Sequence, residues 1–298
     1  MKLAMIGLGR MGGNMARRLL RNGHSVVAYD RDQAVVAALV SEGAVGGTSL
    51  EDVVNKLDGT RVLWLMLPGG NAFSSTMDTL LKILSPGDIV IDGGNSNFRE
   101  SMKWAEALAE KKLRWIDSGT SGGVWGLENG YCLMLGGDKS AYDHIEPAIA
   151  SLAPEGGYGY FGKAGAGHFA KMVHNGMEYA LMQSYAEGFE LLKASEFDFD
   201  LHKLAKLWNR GAVVRSWLLE LAERALEKNP SLDGLKAWVD DNGMGRWTVQ
   251  EAIVHAVPVP AIAAALFARF SSRMDNSFAL RMLAALRNEF GGHAIKRD

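Results

Sequence analysis

The chain opens on an apolar run, Leu3-Ala4-Met5-Ile6, that ends directly in Gly7-Leu8-Gly9-Arg10-Met11-Gly12. A G-x-G-x-x-G between a strand and a helical pattern leaves few folds open. The first glycine permits a tight turn, the second lets the backbone approach a pyrophosphate, and the third lets the helix pack closely. The helix N-terminus then turns its unpaired N–H groups toward the phosphates. Asp30 follows at the end of the next apolar run, Ser25 to Tyr29, about 20 residues on. These positions predict a dinucleotide site built from Gly7, Leu8, Gly9, Arg10, Met11 and Gly12. The Asp30 carboxylate would accept from a ribose diol and repel a 2′-phosphate, which favours NAD over NADP. Arg31 leaves NADP open, because an arginine there can stack on adenine or meet a 2′-phosphate. A solvated surface arginine is the plainer alternative.

The first half continues in the same rhythm. Apolar runs at 61–67, 89–92, 113–117 and 131–135 alternate with helical patterns at 13–22, 32–41, 71–84 and 97–111. Such alternation predicts a Rossmann-type, doubly wound α/β fold around a parallel sheet. Ligands in such sheets bind beyond the carboxyl ends of the strands. Leu67-Pro68 and Asp92-Gly93-Gly94-Asn95-Ser96 leave two strands at those ends. Leu67, Pro68 and Asn95 are therefore expected to line the cofactor and substrate crevice, unless both are ordinary βα turns.

Past Gly167 the strand pattern stops. Residues 168–194 read as one long helix, and 200–228, 231–241, 247–256 and 260–290 as mainly helical, punctuated by Pro230, Pro258 and Pro260. The expected organisation is a dinucleotide-binding domain over 1–164 and an all-helical domain for substrate and dimerisation over 165–298. A net charge of −2 gives no general attraction to nucleic acid, so an anionic substrate would need a local cluster of cations. The single cysteine, Cys132, excludes a disulfide within the chain and a multi-cysteine zinc site, and reads as a small buried apolar residue. The N-terminus lacks the layout of a secretory signal. No apolar run reaches the ~20 residues that span a bilayer. No membrane partner and a reducing, cytoplasmic setting are expected.

The chemistry concentrates in His168-Phe169-Ala170-Lys171-Met172-Val173-His174-Asn175-Gly176-Met177-Glu178-Tyr179. At about 100° per residue, Lys171, His174, Asn175 and Glu178 share one helix face, with Tyr179 at its margin. Phe169, Met172, Val173 and Met177 cover the other sides, which predicts a buried helix. Polar groups on such a helix must face a cavity or pair among themselves. Lys171 and Glu178 stand two turns, or about 10.5 Å, apart. They could flank a small substrate, or belong to an internal network.

The glycine turn, Asp92-Gly93-Gly94-Asn95-Ser96, Ser118-Gly119-Thr120-Ser121-Gly122-Gly123, the Lys171 helix and Leu286-Arg287-Asn288-Glu289-Phe290-Gly291-Gly292-His293 together resemble the 6-phosphogluconate dehydrogenase family, within the β-hydroxyacid dehydrogenase superfamily. The resemblance is to the short form, often linked to NAD. It implies oxidative decarboxylation of 6-phosphogluconate to ribulose 5-phosphate. Lys171 is implied as the base that removes the 3-hydroxyl proton, and Glu178 as the acid that protonates C1. Asn95, Ser121, Gly122, Gly123, His174 and the catalytic-site Asn175 are implied to hold the carboxylate and hydroxyls. Tyr179, Arg246, Arg269, Arg287 and His293 are implied to hold the phosphate and the distal end. No metal is implied, because a lysine serves as the electrophile. The last two residues belong to a tail that in the family reaches the neighbouring subunit, so at least a homodimer is implied.

Two departures stand out. The chain has Gly245-Arg246-Trp247-Thr248 where the family has lysine, and Val124-Trp125 where long forms have two glutamates. Both bear on substrate affinity rather than on reaction type. A 3-hydroxyisobutyrate-type β-hydroxyacid dehydrogenase shares the fold, the glycine turn and the helix lysine, but does not need Glu178, Arg269 or the Arg287/His293 tail. A non-catalytic NAD-sensing module is the reading outside enzymology, and intact Lys171, Asn175 and Glu178 argue against it.

Overall fold

The computed structural model describes residues 1–297; Asp298, the last residue of the expected second domain, lies outside the described residues. The described chain forms two compact units, Met1–Asn175 and a second from Gly176 onward. The sequence pattern changed near 164. Compactness instead divides the chain inside a helix, because the first turns of that helix pack on the sheet.

In the first unit the strands are β1 (Lys2–Ile6), β2 (Ser25–Tyr29), β3 (Val45–Gly46), β4 (Val62–Leu65), β5 (Ile89–Asp92), β6 (Arg114–Ser121), β7 (Cys132–Gly137) and β8 (Tyr158–Tyr160). They pair in the order β3-β2-β1-β4-β5-β6-β7-β8. The helices between them are α1 (Arg10–Arg21), α2 (Gln33–Ser41), α3 (Leu50–Asn55), α4 (Asn71–Ile83), α5 (Phe98–Glu110), α6 (Gly126–Asn129) and α7 (Lys139–Leu152). Successive residues of β1 serve opposite faces. Leu3 and Met5 join a core with Met15, Leu19 and Ile145, whereas Ala4 and Ile6 join one with Met77, Leu80 and Leu108. Both faces are covered, which explains why the strands read as unbroken apolar runs.

β6 and β7 pair antiparallel, the one exception in a sheet otherwise parallel. A parallel neighbour would need a crossover of a dozen or more residues, and the link from Ser121 to Cys132 is shorter. Cys132 is exposed, not buried, because it stands at the end of this hairpin, opposite Ser121.

α8 (Ala166–Ala194) runs from the first unit into the second. Met172 is buried, but Met177, expected on a buried side, is 55% exposed in the single chain. The second unit continues with α9 (Leu201–Trp208), α10 (Trp217–Lys228), α11 (Met244–Val254), α12 (Pro260–Ser271) and α13 (Phe278–Gly291). The expected helix at 231–241 does not form. Leu232 and Gly234 take positive φ, and an irregular loop follows. The expected helical stretches 200–228 and 260–290 each break once. Ser216 accepts from the Leu219 N–H and Ser277 from the Leu280 N–H, so each break starts a new, capped helix.

Candidate active site

The glycine turn lies where the strand order reverses, between β1 and β4. Gly7 has φ +91°, and a Cβ there would stand 2.5 Å from the Met66 carbonyl oxygen. A Cβ on Gly12 would stand 2.0 Å from the Gly7 oxygen, so the start of α1 is pressed against the turn. Gly9 is the opposite case: a Cβ would meet nothing within 4 Å, and no side chain caps α1 there. The turn thus leaves open space and N–H donors at the helix end, which fits a pyrophosphate. Arg10 is exposed and Met11 half-buried at the start of the helix.

Asp30 ties this turn to β2. Its carboxylate accepts from the Leu8 N–H at 2.7 Å and from the Asp32 N–H at 2.9 Å. Neighbouring Arg31 is exposed. Leu67 packs beside Gly7, and exposed Pro68 follows it. The Leu67 carbonyl would lie 2.4 Å from a Cβ on Gly94, so the loops after β4 and β5 touch. Asn95 is exposed just beyond that contact.

Lys171 is seated by β6. A Cβ on Gly119 would lie 2.4 Å from Lys171 Cβ and 2.7 Å from the Gly167 oxygen, so only glycine lets the helix come this close. Asp117, two residues earlier and fully buried, accepts from the Gly165 N–H at 2.7 Å and the His168 N–H at 2.8 Å. It holds the start of α8 and compensates two donors left orphan there. His168 is itself buried and bonds Ser101 Oγ through Nδ1 at 2.7 Å. Lys171 and Asn175, one turn apart, are each 6% exposed. His174 Nδ1 lies 3.0 Å from Asn175 Oδ1. Glu178 is half-buried one turn further along the same face. At the end of β6, Ser121 and Gly122 are half-buried, and Gly123, Val124 and Trp125 are exposed.

In the second unit the structure gathers Tyr179, Arg246 and Arg269. The Arg269 guanidinium lies 3.5 Å from the Tyr179 ring centroid, a close cation–π contact. Arg246 pairs with Asp241 through Nε at 2.9 Å and Nη2 at 3.0 Å, and lies over the Phe270 ring. Gly245 permits this packing: a Cβ there would stand 2.6 Å from the Tyr179 ring. The sequence expectation did not include Arg273, which binds Asp240 and Asp241, both at 2.9 Å. Its spacing of four from Arg269 was the available signal. The guanidinium groups of Arg246 and Arg273 hold the Asp241 carboxyl well below the usual carboxylate range. Arg287 and His293 are exposed on and after α13. Among the described residues no hydrogen bond or ion pair joins them to Tyr179, Arg246 or Arg269.

The open glycine turn, the anchored carboxylate at the end of β2 and the reversal of strand order define a dinucleotide-binding protein of the doubly wound class. Comparison with known proteins narrows this. Residues 2–162 match the NAD binding domain of 6-phosphogluconate dehydrogenase, and residues 167–281 match the 6-phosphogluconate dehydrogenase C-terminal domain. The chain belongs to the 6-phosphogluconate dehydrogenase family. A Haloferax volcanii protein named 6-phosphogluconate dehydrogenase, NAD(+)-dependent, decarboxylating, is 47% identical over 300 residues, covering 100% of this chain and 99% of that one. The Bacillus subtilis protein YqeC is 43% identical over 297 residues, the full length of both. Among solved structures, a Plasmodium falciparum 6-phosphogluconate dehydrogenase, described as apo form and with NADP+ and 6-phosphogluconate, aligns with a TM-score of 0.84 at 28% identity. That match covers 100% of this chain and 66% of the other, so the chain is a short form beside it.

Proposed function

We propose that this protein oxidises and decarboxylates 6-phosphogluconate to ribulose 5-phosphate and carbon dioxide, preferring NAD to NADP. The observation that carries this reading is the register of α8: Lys171 seated against Gly119, with Asn175 and Glu178 following on one face. The open space at Gly9 and the helix end beside it would receive the pyrophosphate, and Asp30 the ribose. NAD, when bound, supplies the hydride acceptor. The fixed negative charge of Asp30 opposes a 2′-phosphate, which supports the preference for NAD.

Lys171, in its neutral form, takes the proton from the substrate 3-hydroxyl as the hydrogen on C3 leaves as hydride. The resulting β-keto acid loses carbon dioxide. The ammonium of Lys171 then holds the oxygen on which charge develops and returns its proton there. Glu178 protonates C1 of the enediol while neutral Lys171 takes the hydroxyl proton back, which completes the ketone. His174 and Asn175 sit between these two groups along the helix. With Asn95, Ser121, Gly122 and Gly123 they hold the carboxylate and hydroxyls. Tyr179, Arg246 and Arg269 take the phosphate, a dianion that suits several cationic donors.

A second copy of this chain completes the assembly. α13 has no buried residue, and Phe278, Leu280, Met282, Leu283, Leu286 and Phe290 are all exposed along it. Each such side chain gains about 1.5–3 kcal/mol on burial, so a face worth on the order of 10 kcal/mol is uncovered in the single chain. Covering it in a homodimer, or a higher assembly, brings Arg287 and His293 of the tail to the neighbouring phosphate. A cytoplasmic location belongs to the same proposal. Among the described residues no helix is long and apolar enough to cross a membrane.

The test is steady-state turnover on 6-phosphogluconate with NAD and with NADP, following reduced cofactor and released carbon dioxide together. Reduction without carbon dioxide, or faster turnover on 3-hydroxyisobutyrate, would refute the reading. A higher kcat/KM with NADP would refute the cofactor preference alone.

A further inference from the structure

Arg246, Arg269 and Arg273 are not held independently. One loop tripeptide, Asp240-Asp241-Asn242, binds the side chains of Tyr179, Arg246, Arg269 and Arg273. The Asp240 carbonyl accepts from Arg269 Nη1 at 2.8 Å. The Asp241 carboxylate accepts from Arg246 Nε and Nη2 and from Arg273 Nη2. Asn242 Oδ1 accepts from the Tyr179 hydroxyl at 3.0 Å. Asp241 is the hub. Its side chain is only 2% exposed, and it also accepts from the Gly243 N–H. A buried carboxylate is costly unless its lone pairs are filled, and here four donors fill them.

The orientation of the Arg246 pair decides what the hub does. Asp241 takes the Nε–Nη2 edge of the guanidinium, and the Phe270 ring lies against its face at 4.5 Å. The opposite edge, carrying Nη1, is turned away from Asp241, and the side chain is half exposed. A fork clamped on one edge and one face presents its remaining donors in one direction. A free arginine would lose rotamer freedom on meeting an anion; this one has lost it already. Arg273 does not present itself in the same way. It spans Asp240 and Asp241 and is 21% exposed, so its charge is spent on the loop.

We infer that Asp241 and Arg273 are positioning residues for phosphate recognition, holding Arg246 and, through the Asp240 carbonyl, Arg269 in the geometry that receives the substrate phosphate. The inference rests on the reading of Tyr179, Arg246 and Arg269 as the phosphate site. Asp241 fixes the fork from behind rather than competing with the phosphate for it. The two roles predict opposite signs: loss of a clamp weakens substrate binding, whereas loss of a competitor tightens it.

The experiment compares Asp241→Asn, Arg273→Met and Arg273→Lys with Arg246→Ala and Arg269→Ala, in the full-length enzyme. The measurements are KM for 6-phosphogluconate, kcat/KM for unphosphorylated gluconate, the Kd of NAD and the melting temperature. Charged hydrogen bonds of this kind are worth about tenfold or more in binding, so KM for 6-phosphogluconate should rise about tenfold in Asp241→Asn and Arg273→Met. The preference for 6-phosphogluconate over gluconate should fall by the same factor, and NAD affinity should hold. Arg273→Lys should recover part of the loss. A purely structural defect would lower the melting temperature and weaken both substrates alike, and that result overturns the inference. So does a fall in KM in Asp241→Asn. If Arg246→Ala and Arg269→Ala raise KM but neither positioning variant does, the inference fails and the phosphate site stands. If none of the variants moves KM, the phosphate site itself is misassigned. Should Asp241→Asn not fold, the Arg273 pair decides the matter alone.

Discussion

Gly119→Ala tests the seat of Lys171 directly. The added methyl would lie 2.4 Å from Lys171 Cβ and 2.7 Å from the Gly167 oxygen. Non-bonded carbons rest about 3.5–4.0 Å apart, so relief requires about 1 Å or more of displacement between β6 and α8. Little can yield, because both close atoms belong to or adjoin helix backbone, and Asp117 grips that end of the helix through two N–H donors. A misplacement of about 1 Å can cost about 100-fold in rate, equivalent to about 2.7 kcal/mol in the barrier. Overpacking should also remove about 1–3 kcal/mol of stability. The assay is kcat with saturating 6-phosphogluconate, beside the Kd of NAD and thermal unfolding. We expect kcat to fall about 100-fold while NAD binding holds, since Gly7, Gly9 and Asp30 lie in the turns after β1 and β2, away from β6. A variant that melts lower yet keeps full turnover would show that contact with β6 does not set the position of the lysine.

Lys171→Met should abolish turnover and leave NAD binding largely intact; substantial residual activity would remove Lys171 as the base. Arg269→Ala should raise KM for 6-phosphogluconate far more than the Kd of NAD, and equal losses would move Arg269 out of the phosphate site. Burial raises the Asp92 carboxyl above the ordinary range, despite nearby His168. Its contribution to stability is then greatest below the unfolded pKa of about 3.9 and is lost as pH rises toward the raised folded value. Asp92→Asn should gain stability relative to wild type between acid and neutral pH in thermal unfolding; parallel profiles would contradict the assignment. Sedimentation of the intact protein should give at least twice the 32.3 kDa chain mass, and truncation after Ser277 should abolish both assembly and turnover. A fully active monomer would end the role of the tail.

The parts of this molecule legible in the sequence are those whose physics is local. Gly7, Gly9 and Gly12 with Asp30 specify a turn within 25 residues, and the alternation of apolar runs with helical periods specifies a doubly wound sheet. The face shared by Lys171, Asn175 and Glu178 follows from helical geometry alone. Position 231–241 misled for the same reason: Leu232, Leu235 and Val239 have helical spacing, but their loop is shaped by arginines more distant in sequence. The short strand β3 and helix α3 carry too few residues to show a period.

What only the tertiary structure decided is which distant groups meet. Ser118-Gly119-Thr120 reads as a small-residue string until Lys171 is found against it. Arg273 and Asp241 acquire meaning only when 32 positions of chain fold back to join them. That α13 keeps Phe278, Leu283 and Phe290 exposed is likewise visible only in the folded chain. Periodicity constrains the backbone over one or two turns, whereas close approach, charge pairing and burial are properties of pairs, and a linear pattern does not encode which pairs form.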